Sequence, residues 1–151
     1  FRESLDHIER NNGGFLAEYC KSEKQLLAFL CSFRAVRVPK DVRSELFFED
    51  SGDLFMASLL RQKDDLSGPV EFQGLFNKLE GSERNPLKEY KAVAKYRFNL
   101  YYDYVKDYGS VENALFAYFV CLVILEDMMA LDKADGLRLI KSIVESEYAA
   151  K

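Results

Sequence analysis

Twelve consecutive residues, 114–125 (ALFAYFVCLVIL), carry no charge and no strongly polar side chain. A helix apolar on every side has no face to give to water, so it must be surrounded. The run therefore predicts a helix, about 111–131, at the centre of a compact fold. It is too short to cross a bilayer, which takes about 20 apolar residues. Glu112 before it and Glu126-Asp127 after it also argue against a membrane span.

With 151 residues the chain has room for one domain with a real core. It begins at Phe1 without an initiator Met, so 1–151 reads as a single helical domain excised from a longer protein. Thr and Trp are absent and Ile is sparse, while Leu, Ala, Lys and Glu are plentiful. Few β-branched residues and many helix formers predict an all-α fold of seven or eight helices. A formal net charge of −4 disfavours nucleic acid as a partner, because phosphate backbones call for a basic surface.

Cys20, Cys31 and Cys121 are odd in number, widely spaced and set among apolar residues. They predict buried free thiols in a reducing, intracellular compartment, most simply the cytoplasm. No CxxC pair occurs and His7 has no second His or Cys beside it, so neither a metal nor a cofactor is expected.

Helix signals divide the chain. Leu5 and Ile8 predict a short first helix over 2–10 with both side chains inward, and Asn11-Asn12-Gly13-Gly14 ends it. A second apolar stretch starts at Phe15 and pauses near Ser22, which with Gln25 has the spacing of a capping box. Pro39 opens a helix to about 48, with Val42 and Leu46 inward. Ser51-Gly52-Asp53 opens another on Phe55, Leu59 and Leu60. The segment 61–69 reads as a mobile loop. Phe72, Leu75, Phe76 and Leu79 form one stripe of a helix over 69–80, with Gly81 suited to a left-handed end. Asn85 as N-cap and Pro86 as first helical residue open a helix to about 108, closed by Gly109. Ser110 caps the apolar helix. Asp132 caps a last helix to about 148, with Leu137, Ile140, Ile143 and Val144 inward.

The helix over 85–108 holds six of the nine Tyr. At about 100° per residue, Tyr90, Tyr101, Tyr104 and Tyr108 share a face with Val93, Ala94 and Arg97. An Arg on an inward face must be paired, stacked or solvated through a cleft. The functional reading is a pocket in which Arg97 binds an anion beside the hydroxyls of Tyr90, Tyr101 and Tyr104. The structural reading is Arg97 stacked on a Tyr, or bridged to an acid on a neighbouring helix. Tyr96 and Tyr102 lie off that face and, with Phe48, are candidate contacts for a protein partner. Arg34, Arg37, Lys40 and Arg43 recur every third residue, which suits a solvated helix end better than a binding strip. Asp64-Asp65 and Glu126-Asp127 lack the partners that metal or acid–base chemistry needs.

No phosphate loop, nucleophile elbow or zinc-protease motif occurs, and nothing supplies a nucleophile–base pair, so an enzyme is not expected. In outline alone, an apolar helix enclosed by amphipathic ones resembles Bcl-2-like domains and the ligand-binding halves of bacterial repressors. The Bcl-2 signature NWGR is missing; the nearest stretch is Asp107-Tyr108-Gly109-Ser110. The first functional expectation is a non-catalytic protein–protein interaction or oligomerisation module, of adaptor or scaffold type. The alternative is a small-ligand or anion sensor with a Tyr/Arg-lined pocket.

Overall fold

The computed structural model describes residues 2–11, 13–38, 42–46, 54–61, 69–106, 110–131 and 138. Among them there is no strand. Six helices have eight residues or more: α1 (Arg2–Asn11), α2 (Gly14–Arg37), α4 (Leu54–Arg61), α5 (Gln73–Glu80), α6 (Pro86–Lys106) and α7 (Val111–Met129). A four-residue helix, α3 (Val42–Glu45), and a 3-10 turn, Val70–Phe72, complete the described set. The last predicted helix, Pro39, Phe47-Phe48, the 51–53 cap, Asp64-Asp65 and Tyr108-Gly109 lie outside the described residues, apart from Arg138.

The two longest helices organise the rest. α2 and α6 are pinned at two points, Glu23 to Arg97 and Arg37 to Glu89. The order along α6 is the reverse of that along α2, so the two run antiparallel. One core cluster forms around the C-terminal half of α2: Leu26, Phe29 and Phe33 meet Leu46, then Phe55, Met56 and Leu59 of α4, then Phe72, Leu75 and Leu79. Phe29 and Phe72 stack with ring centroids 4.8 Å apart. A second cluster joins Phe15 at the start of α2 to Ala94 and Tyr101 of α6 and to Ala117, Cys121 and Ile124 of α7.

Several local signals act as expected. Asn85 Oδ1 accepts from the backbone N–H groups of Leu87 (3.0 Å) and Lys88 (3.2 Å), giving two of the orphan donors at the start of α6 a partner. Ser110 Oγ accepts from Asn113 N–H at the start of α7. Other signals are overridden. Ser22 sits inside a continuous α2, because the flanking residues pack along one unbroken helix and Ser costs a helix interior only a few tenths of a kcal/mol. Ile8 lies on the exposed side of α1, where Leu5 alone of the two is buried. Gly81 has φ −71°, and the left-handed positions fall instead on Glu83 and Arg84 within the turn before α6. At the start of α2, Gly14 has φ +62° and a Cβ there would meet Asn113 Oδ1 at 2.9 Å. That oxygen accepts from Phe15 N–H, so a side chain of α7 caps α2.

The largest correction concerns α7. It is not the enclosed hub that its composition suggests; among the described residues it packs on α6 and α2 along one side. Its buried residues, Ala117, Cys121 and Ile124, form a narrow stripe, while Leu115 and Phe119 are each 66% exposed. The physical reason is size. Ala117 and Cys121 allow close approach to α6, as when Cys121 Sγ lies 3.9 Å from the Phe98 carbonyl oxygen, Ile124 is buried beside them, and the leucines and phenylalanines of α7 are turned outward.

Candidate interaction face and the Arg97 cluster

Arg97 is held in a closed polar cluster. Its Nε donates to Glu23 Oε1 at 2.8 Å, and Tyr101 Oη donates to the same oxygen at 2.6 Å. The Tyr19 ring lies 5.2 Å from that of Tyr101, beside this pair. Glu23 is buried, so its carboxylate must be paired, and Arg97 and Tyr101 supply the pairing. Burial works against the Arg97 charge, and the carboxylate of Glu23 outweighs it, so the Arg97 pKa is raised. Burial, reinforced by Glu23, also raises the Tyr19 pKa and pushes the Tyr101 hydroxyl well above its ordinary value of 10.0.

This has a consequence in alkali. A tyrosine whose folded pKa is raised stabilises the native state fully below its unfolded pKa, and that contribution is lost as pH rises through the folded value. Urea midpoints are therefore expected to fall as pH passes about 10. Tyr101→Phe is expected to flatten that slope, and an unchanged slope in the variant would assign the effect elsewhere.

The other residues expected around Arg97 are dispersed. Tyr104 faces a cavity of about 420 Å³ lined also by Gly14, Phe15, Glu18 and Asn113. Burial, then the charge of Glu18, raises the Tyr104 pKa. Tyr90 borders a different cavity of about 290 Å³, between Leu30, Phe33, Arg34, Leu79 and Val93. Arg97 lines neither, and its charge is already matched by Glu23. Three other expectations also change. Tyr96 is half-buried with its ring 5.5 Å from Phe72, so it flanks the core and only part of it faces solvent. Arg37 is not part of a solvated strip: it lies 4.1 Å over the Phe33 ring, pairs with Glu89 and donates to the Leu79 carbonyl at 2.7 Å. Cys31 is exposed, whereas Cys20 and Cys121 are buried as expected, and burial raises both their pKa values. Tyr102 stays exposed, stacked on Phe98 and under Lys106. Phe48 lies outside the described residues.

What does face solvent is the outer side of α7. Leu115, Phe116, Tyr118, Phe119, Leu122, Val123, Leu125 and Met129 are all at least 40% exposed. At about 100° per residue, Leu115, Phe119 and Leu122 fall on a line opposite Ala117, Cys121 and Ile124. Their spacing, i, i+4 and i+7, is that of a helix-packing seam. Glu126 and Met129 continue it. α7 thus carries two seams, one packed and one open. Sequence reading missed the second because uniform apolarity hides which side is covered. It missed Glu23 for another reason: a break at Ser22 resets the helical phase, whereas along a continuous α2 the stripe Tyr19, Glu23, Leu26, Leu30 and Phe33 places an acid on the inward face.

No group of three or more His, Cys, Asp or Glu side chains among the described residues is placed to hold a metal ion. No described helix is long and apolar enough to cross a membrane. The family model described as "Protein of unknown function (DUF2764)" matches residues 2–147. The chain belongs to this family. It is also 34% identical over 91 residues to an uncharacterised protein of Chlamydia pneumoniae, an alignment covering 59% of this chain and 34% of that protein. The aligned part thus spans about a third of the relative's length. No solved structure matches the chain.

Proposed function

We propose that this domain of the DUF2764 family is a non-catalytic helical interaction module, and that the open seam of α7 is the surface it presents to another polypeptide. The observation that supports this is the set of eight large apolar side chains exposed from Leu115 to Met129. At roughly 150–250 Å² per aromatic side chain, they leave on the order of several hundred Å² of apolar surface in water. A typical monomer's largest patch is about 300–600 Å², and larger ones mark interaction sites. The helix packs Ala117, Cys121 and Ile124 inward and keeps its leucines and phenylalanines outward, the arrangement of an element with two partners. Free thiols at Cys20, Cys31 and Cys121 suit a reducing, intracellular setting.

The test is site-specific photocrosslinking in cells from a benzoyl-phenylalanine at Phe119, with Lys95 on α6 as the control position. A discrete adduct is expected from Phe119 and not from Lys95. It should vanish when Leu115 and Leu122 are both changed to Glu. No adduct from Phe119, or one that survives those substitutions, ends this reading.

A further inference from the structure

The charge around the open seam narrows the kind of partner it fits. Over 111–131 the charged residues are Glu112, Glu126 and Asp127, all exposed, with no Lys or Arg among them. One acid stands at the N-terminal end of the seam and two at its C-terminal end, flanking an uncharged stretch of thirteen residues, 113–125. A second copy of α7 is therefore poorly matched. Pairing two seams would bring together six carboxylates and no cation, and a parallel pair would set Glu126 against Glu126. Like charges at a desolvated interface are costly and suppress wrong partners. A bilayer surface is equally poorly matched, because interfacial helices carry Lys and Arg rather than acids beside their apolar face. The open seam runs along one helix from Leu115 to Met129, so a single helix of similar length is an occupant of the right size.

We infer that the outer seam of α7 receives an amphipathic helix of a partner polypeptide, with apolar side chains at i, i+4 and i+7 and Lys or Arg at both ends. This rests on the interaction reading above and deepens it. Leu115, Phe119 and Leu122 supply the apolar contact, and Glu112 and the Glu126–Asp127 pair meet the basic ends.

The probes are three synthetic helical peptides of about three heptads: a Leu stripe with Lys ends, the same stripe with Glu ends, and Lys ends with Ser in place of the Leu stripe. Fluorescence anisotropy at low and at physiological salt reads their affinities for the intact chain. The Lys-ended Leu peptide is expected to bind at least about tenfold more tightly than its Glu-ended twin, with the gap narrowing as salt rises. The Ser peptide should not bind. Phe119→Glu with Leu122→Glu makes the protein more acidic, so attraction by charge alone would survive it, whereas seam binding is lost. Leu115→Glu is the second variant, and circular dichroism checks that each retains its helix.

Equal affinity for the Lys- and Glu-ended peptides overturns the basic partner while leaving the crosslinking result standing. So does a dimer in sedimentation that Phe119→Glu dissolves, which assigns the seam to a second copy, or selective binding to lipid vesicles. Binding that survives the Phe119→Glu and Leu122→Glu change, or binding by the Ser peptide, overturns the seam as the site. Failure of all three peptides overturns the inference outright.

Discussion

Arg97→Met is expected to lower the stability of the domain by about 3 kcal/mol, read as a fall in the urea midpoint at unchanged m-value. The figure sits at the low end for a broken buried ion pair because 27% of the Arg97 side chain remains in contact with solvent, whereas Glu23 retains only 7%. The loss comes from Glu23, whose carboxylate is left buried with the Tyr101 hydroxyl as its remaining donor. Glu23→Gln added to Arg97→Met should recover much of it, since Gln removes the buried charge yet still offers an oxygen to Tyr101 Oη. A neutral Arg97→Met would show that Glu23 does not depend on it. That outcome would return Arg97 to the role of a solvated, ligand-seeking cation.

Phe29→Ala is expected to cost about 3–5 kcal/mol, whereas Phe119→Ala should stay within about 0.5 kcal/mol of wild type. Phe29 is 0% exposed and stacks on Phe72 and Phe33. Phe119 is the same residue in the middle of the most apolar stretch of the chain, yet is 66% exposed. Paired chemical denaturation of the two variants separates a peripheral α7 from a central one. Equal costs would place α7 back at the centre of the bundle. The contrast also predicts that substitutions on the outer seam affect binding and spare folding, which is what makes the crosslinking and peptide experiments interpretable.

Much of the helical plan was legible because it depends on short-range chemistry. The Asn85-Pro86 start works through the two N–H groups that Asn85 caps and the preset φ of proline, and both act within one turn. The same holds for Ser110 at α7. The stripe Phe72, Leu75 and Leu79 followed from helical spacing alone, and all three are buried. Local signals failed where tertiary packing outweighed them, as at Ser22 within the unbroken α2 and at Gly81, whose expected left-handed role passed to Glu83 and Arg84.

The candidate sites were legible only in part. An Arg on the inward face of α6 implied a partner or a pocket, and the acid-bridge alternative is the one present. Which acid, and that Tyr101 shares its oxygen, depend on α2 and α6 lying antiparallel at one register. The sequence by itself determined an all-helical chain, the main helix starts and the need to pair Arg97, since capping, propensity and desolvation act through near neighbours. Only the tertiary structure decided that α7 buries Ala117, Cys121 and Ile124 and presents its leucines and phenylalanines. An all-round apolar helix has no preferred side of its own, so the shape of α6 and α2 selects the face that fits and leaves the other open.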